Sequence, residues 1–318
     1  MKQSSKAVAY PGLPLVFAEG FKDYKLRISG HSHASLAVTD IHGMAKTETS
    51  ADLVGGGVEF RLDGEVPQDQ RGSAAYTVIR EMLALATDET GVRVSSENHN
   101  VLTGSSDSGA AALVTVMDDV LELGLPAARM VELARDVSET AYRSIVGGLS
   151  QCLVDEKGGM VVSQLKKPAY FSGVNVYAVP FPDIKRFSAD DLHKRVVNHK
   201  YYPYRTNETE NRLRSLQRLL DEDDLDGVMS IMESEARTVH RMFEEMGMAV
   251  IKPQMKAVTD LVEEMRESRI RAWWNVAGGS AVYVFTLKDS AREVTRELKA
   301  KGYRYRHYKV AEGAMPIA

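Results

Sequence analysis

The chain has 318 residues, 44% of them hydrophobic and 26% charged, with a formal net charge of −4. That length allows a substantial core and two subdomains around one cleft, and the balance is that of a soluble protein. The negative charge argues against nucleic acid as a main partner, the lone Cys152 excludes an internal disulfide, and no run reaches the roughly 20 apolar residues of a membrane helix.

Pro11 and Pro14 interrupt the short apolar run near the start, which does not read as a secretory signal, so a cytoplasmic location is expected. Residues 27–40 contain the alternating Ser35-Leu36-Ala37-Val38, and 55–62 read as a strand after three glycines. The first strong helix is 73–86, where Ala75, Val78, Ile79, Met82, Leu83 and Ala86 share a side. A strand at 92–96 leads into VLTGSSDSGAAAL (101–113) and a helix over 108–123. Pro126 opens a third helix that Gly147-Gly148 ends.

Strands at 149–154 and 160–165 form a hairpin, and 174–181 is a further strand. Residues 189–267 are helix-rich, with the acidic run 221–226 as a solvated connection. Strands at 273–276 and 282–287 flank Gly278-Gly279, and a helix at 290–301 precedes a last strand at 303–310. The order implies an α+β protein of two lobes, 1–181 and 182–318, divided near Pro182. No internal repeat or low-complexity segment interrupts it.

The turn at 101–113 carries the most chemistry. A helix N-terminus offers unpaired N–H groups and the positive end of a dipole, so a Gly/Ser turn feeding one can hold phosphate. Gly104, Ser105, Ser106, Asp107, Ser108 and Gly109 are the candidate nucleotide-binding residues. The turn is not a Walker A loop, because Ala110 and Ala111 stand where Lys-Ser/Thr would be. The same residues also suit a plain solvated turn with Asp107 as N-cap.

Glu139 and Arg143 are four apart in the third helix, hence neighbours on one face. Arg can fork onto a carboxylate or phosphate while Glu positions a hydroxyl. Equally, Glu132, Arg135, Asp136, Glu139 and Arg143 form a charged stripe of the kind that usually faces water. His31 and His33 alternate on a strand without a nearby third ligand, and His193, His199 and His240 suit hydrogen bonding or exposure better than metal binding. Cys152 reads as a small core residue, and Trp273-Trp274 as core and interface. No Ser-His-Asp or Cys-His arrangement follows from spacing.

Taken in order, Tyr10-Pro11, the loop 98–112, Ser138–Gly148, Arg186 with His193, His240 and the run Ala277–Tyr283 resemble the mevalonate 3-kinase branch of the GHMP kinase superfamily. The resemblance covers nearly the whole chain. GSSDSGAA is similar to the superfamily's third-motif phosphate loop. SETAYRSIVGG is similar to the SGSACRSLFGG of the related diphosphomevalonate decarboxylases, with Glu139 in place of a glycine, as in the 3-kinases.

The resemblance implies a two-lobed GHMP fold, with a ribosomal-S5-like α/β N-terminal lobe and a helix-rich, ferredoxin-like C-terminal lobe. It implies ATP and Mg²⁺, with the metal at Ser108, and a homodimer. It also implies a small-molecule substrate, mevalonate or a phosphomevalonate, contacted by Glu139, Thr140, Arg143 and Arg186, with Glu139 and Arg143 catalytic.

Two departures separate the chain from the decarboxylases. They read DAGPNA where this chain has Ala277-Gly278-Gly279-Ser280-Ala281-Val282, and a lysine of their KYWGK segment aligns with Phe17. Alanine can neither accept a proton nor hold a charge. The 3-kinases lack both charged groups as well, with Thr where Ala277 stands. The resemblance therefore implies phosphorylation of the tertiary 3-hydroxyl without decarboxylation. An ATP-dependent decarboxylase and a catalytically silent ligand-binding protein of the same fold are the alternatives.

Overall fold

In the computed structural model, which describes residues 1–86 and 90–317, the chain begins with a layer of strands crossed by a small-residue helix. Strands β1 (Ser4–Ala9) and β2 (Gly12–Val16) precede a short hairpin, β3 (Phe21–Asp23) and β4 (Ile28–Ser29). Then come β5 (His33–Asp40), β6 (Lys46–Val54), β7 (Val58–Leu62), α1 (Gln70–Leu85), β8 (Gly91–His99) and α2 (Ser105–Leu121). In β6, Thr47, Thr49 and Ala51 are buried at every second position, the signature of a half-buried strand. Ala110, Ala111 and Ala112 have almost no exposure, and their small side chains let α2 lie close against β1 and β6.

The third helix of the sequence reading is two helices, α3 (Ala127–Arg135) and α4 (Tyr142–Val146), with a turn between them. Ser138 and Thr140 both spend their hydroxyls on Asp107, at 2.7 and 2.6 Å, and this side-chain bonding competes with a continuous helix. Glu139 and Arg143 are therefore not neighbours on one helical face.

A hairpin of β9 (Leu149–Val154) and β10 (Met160–Lys166) leads to β11 (Val174–Pro180). Four helices follow: α5 (Ala189–Val196), α6 (Arg205–Asp221), α7 (Leu225–Glu245) and α8 (Pro253–Glu267). The chain closes with β12 (Ala272–Asn275), β13 (Ala281–Leu287), α9 (Ala291–Ala300), β14 (Arg306–Val310) and β15 (Met315–Ile317). The acidic run around Asp223 is the exposed connection between α6 and α7.

One sheet has the order β15-β1-β6-β8-β7, antiparallel except for β7 and β8. The other runs β10-β9-β5-β14-β11-β13-β12, with β2 also paired to β5. Both sheets thus recruit strands from the end of the chain: β15 completes the first, and β14 sits between β5 and β11 in the second. Helices α6 and α7 pack on β2 and β5, so the two halves share a sheet and a core as well as a cleft.

Cys152 is fully buried in β9, where burial pushes its thiol up to about 12, and Trp273 and Trp274 are buried in β12. No described helix is long and apolar enough to cross a membrane.

Candidate functional site

The serine-rich turn opens into a cleft of about 530 Å³ between the halves. Gly104 adopts a left-handed conformation (φ 70°), and a Cβ there would stand 3.0–3.1 Å from the backbone of Gly12. Only glycine fits both constraints. Helix α2 starts at Ser105, and its first i→i−4 bond runs from Ser108 N–H to Gly104 O at 3.2 Å. The N–H groups of Ser105, Ser106 and Asp107 therefore lie in the unpaired first turn, and all three residues line the cleft.

The other two predicted members of the turn do not. With the helix starting three residues early, Ser108 rotates toward β6. Its hydroxyl pairs with Thr47 Oγ1 at 2.7 Å and donates to Gly104 O at 3.2 Å. Ser108 is fully buried and is not positioned to ligate a metal, and Gly109 lies outside the cleft lining. Gly104, not Asp107, is the N-cap.

Asp107 is instead a hub. Its Oδ1 accepts from Ser138 and Thr140, and its Oδ2 accepts from Arg143 Nε at 2.9 Å and again from Arg143 Nη2. Arg143 forks onto this buried carboxylate, a strong and geometrically specific pair. Thr140 and Arg143 both line the cleft, locked to the first turn of α2.

Glu139 lies beside that pair in a second charged cluster which the sequence reading did not find. Arg27 donates Nε to Glu139 Oε2 at 3.1 Å and adds an Nη2 contact, while His193 Nε2 stands 3.1 Å from Oε1. Arg71 Nη2 is 4.0 Å away. The Gly20 N–H donates to His193 Nδ1 at 2.9 Å, which fixes the proton on Nε2, facing the carboxylate. Burial would push the Glu139 carboxyl up, but His193, Arg27 and Arg71 outweigh it and hold it well below the usual carboxylate range. Asp190, at the start of α5, accepts from both Arg27 and Arg71 at 3.0 Å.

The opposite wall is apolar. Phe17, Phe243, Leu192 and Ala277 line it, so the two positions that depart from the decarboxylase pattern face the same space. His240 organises this wall from behind. Its Nε2–H donates to the Val276 carbonyl at 2.6 Å, and its ring meets Phe17 edge-on at 5.7 Å.

Further back, Arg205 has no exposure and pairs with Glu19, Glu208 and Glu235. Glu235 accepts the Phe17 N–H at 3.0 Å. Burial opposes ionisation of Glu19, yet Arg205 and His31 bring its carboxyl down to about 2. His33 is buried against Tyr142, with Nδ1 3.0 Å from the phenol, and burial brings it down to about 3. His199 pairs with Glu245 at 3.1 Å.

Arg186 is exposed at the rim and forms no ion pair or hydrogen bond among the described residues, while its neighbour Lys185 lies outside the lining. No group of three His, Cys, Asp or Glu side chains that could hold a metal occurs among the described residues.

The unpaired first turn of a helix, set at a cleft in mixed sheet and helix, can hold phosphate, and the fold around it is shared with solved mevalonate-3-kinase and mevalonate diphosphate decarboxylase structures. The first half (residues 9–162) matches the model of the diphosphomevalonate decarboxylase-like N-terminal domain. Residues 188–292 match the model of the mevalonate-3-kinase C-terminal domain. The chain belongs to this family.

It is 27% identical over 305 residues to the mevalonate-3-kinase of Picrophilus torridus, covering 92% of each chain. It is 26% identical over 296 residues to the mevalonate 3-kinase of Thermoplasma acidophilum, covering 91% and 90%. A crystal structure of the Thermoplasma acidophilum mevalonate-3-kinase with mevalonate 3-phosphate and ADP superposes with a TM-score of 0.91, at 23% identity, over 100% and 99% of the two chains.

Proposed function

We propose that this protein is an ATP-dependent kinase that phosphorylates the tertiary 3-hydroxyl of mevalonate and stops at mevalonate 3-phosphate. The observation that carries the reading is the apolar wall: Phe17 and Ala277 face the cleft together, at the two positions where the decarboxylase pattern has its lysine and its aspartate. The 3-kinase relatives and the C-terminal family match support the same activity.

ATP would set its phosphates against the open N–H groups of Ser105, Ser106 and Asp107. With Ser108 turned inward and Asp107 saturated, a Mg²⁺ bound to the nucleotide would draw at most on the hydroxyls of Ser105 or Ser106. When bound, the metal would neutralise charge on the transferring phosphate. Glu139, ionised and held in place by Arg27 and His193, would accept a hydrogen bond from the substrate. Arg186 at the rim is the guanidinium free to take the substrate carboxylate, and Thr140 and Arg143 would brace the turn through Asp107. Phosphoryl transfer asks chiefly for such positioning, so the lack of a dedicated base at Ala277 is compatible with turnover. The lobes 1–181 and 182–318, a homodimer and a cytoplasmic location complete the reading.

The test is purified protein with ATP, Mg²⁺ and mevalonate, followed by phosphorus NMR and a gas measurement. A new ester at the tertiary carbon without carbon dioxide is expected. Carbon dioxide release would assign the protein to the decarboxylases, and ligand binding without ATP turnover would make it a silent member of the fold.

A further inference from the structure

The cations around the cleft are almost all spent. Among the described residues three guanidiniums line it: Arg143 is bound to Asp107 and Arg71 to Asp190, while Arg186 has no partner among those residues. Arg27, deeper in, is divided between Glu139 and the same Oδ1 of Asp190 that Arg71 uses. Among the described residues the lining also carries five carboxylates, Glu19, Asp69, Asp107, Glu139 and Asp190, of which Asp107 is the one that Arg143 neutralises. Away from the helix N–H groups that would serve the nucleotide, an anionic group of the substrate is best met by a guanidinium not already neutralised, and carboxylates facing it add repulsion. Such a cleft suits a substrate with one anionic group, matched to Arg186, and disfavours a second.

We propose that Asp190 is the specificity-determining residue that restricts the cleft to the free hydroxy acid and rejects its 5-phosphate. This deepens the kinase reading and rests on it. Asp190 takes up Nη2 of Arg71, a cleft-lining cation that could otherwise meet a phosphate, and it does so at the first turn of α5, whose cap is supplied separately by Ser188. Arg27 and Arg71 together keep the Asp190 carboxyl below its ordinary range against the opposing effect of burial, so the blocking charge persists at neutral pH. The selection is by occupancy: the cation that could serve a phosphate is present, and the protein's own carboxylate sits on it.

Asp190→Asn keeps the size and the α5 cap while removing the charge. Titration calorimetry without nucleotide compares mevalonate with mevalonate 5-phosphate, and inorganic phosphate serves as a probe independent of the kinase reading. The wild type is expected to prefer the free acid. The variant is expected to narrow that preference at least tenfold and to bind inorganic phosphate at least tenfold more tightly. Arg71→Gln in the Asp190→Asn background should cancel both gains, which a merely structural effect of Asp190 would not produce.

A preference ratio unchanged within threefold in a folded variant overturns the proposal. So does a wild type that binds the 5-phosphate as well as the free acid, whatever the variants do. A wild type that phosphorylates neither compound would break the kinase reading instead, while the phosphate arm still reports on Asp190.

Discussion

The two walls of the cleft hold their charges at different depths. On the Glu139 side, Arg27, Arg71, Asp190 and His193 crowd at or just under the surface that substrate would touch. On the Phe17 side most of the charges lie behind the wall, where Arg205 gathers Glu208, Glu235 and Glu19, and of these only Glu19 reaches the cleft lining. Ions in front border the space a substrate would fill, already paired with one another. Ions behind hold a loop in position and leave the positions of Phe17 and Ala277 without a charge that could take part in bond breaking. The difference explains how a strongly charged site can lack the chemistry of its decarboxylase relatives.

Removing the rear charge should break the comparison most strongly. Arg205→Met would strand Glu19 and Glu235 in the core, and loss of one partner from such a cluster costs about 3–5 kcal/mol. Urea denaturation should show that loss. Glu139→Gln on the other wall should shift the midpoint less, because Arg27 keeps a second carboxylate in Asp190.

Acid should reach the rear wall through His240. Burial brings its imidazole down to about 4, whereas an unfolded histidine titrates near 6.5. The unfolded chain therefore binds the extra proton first. Stability present above about pH 6.5 falls as pH drops toward 4, by about 1.4 kcal/mol per pH unit. His240→Gln should flatten that slope by one proton in denaturation curves taken across the range.

The front wall is tested by turnover. Glu139→Gln keeps the shape but removes the ionised acceptor, and a hydrogen bond to a charged group is worth about 1.5–3 kcal/mol. A fall in kcat of roughly 10–100-fold with nucleotide affinity retained is expected by steady-state kinetics. The smallest effect is a product that does not change: Ala277→Asp alone should yield no carbon dioxide, because Phe17 still stands where the decarboxylases have their lysine. Gas release from that single variant would show that one front-facing carboxylate suffices.

Much of the scaffold was legible because it is local. The small residues after Gly104, the alternation in β6 and the hairpin around Asp155 all carry their structure in short-range pattern. The break at Ser138–Thr140 was not, since its cause is Asp107, some thirty residues earlier in the chain. The start of α2 was misplaced by three residues, enough to turn Ser108 from the cleft to the sheet. Arg27 was invisible for the same reason as the break: it lies on a turn, and its partner Glu139 is 112 residues away. Asp190 and His193 sit three apart on α5, a spacing that places them on one face but does not say what that face meets. Phe17 and Ala277 were legible by comparison with an ordered family pattern, and the structure places them on one wall.

Strand β15 pairs with β1, joining Lys6 to Ile317 across nearly the full length of the chain. Strand β1 must therefore wait for β15, far later in the chain, before its outer edge is covered. An unfinished edge is a template for other chains, and pairings this distant form slowly. Synthesis of this enzyme leaves the edge of its first sheet open until β15 emerges, so its yield on expression should depend on holdase chaperones more than its native stability would suggest.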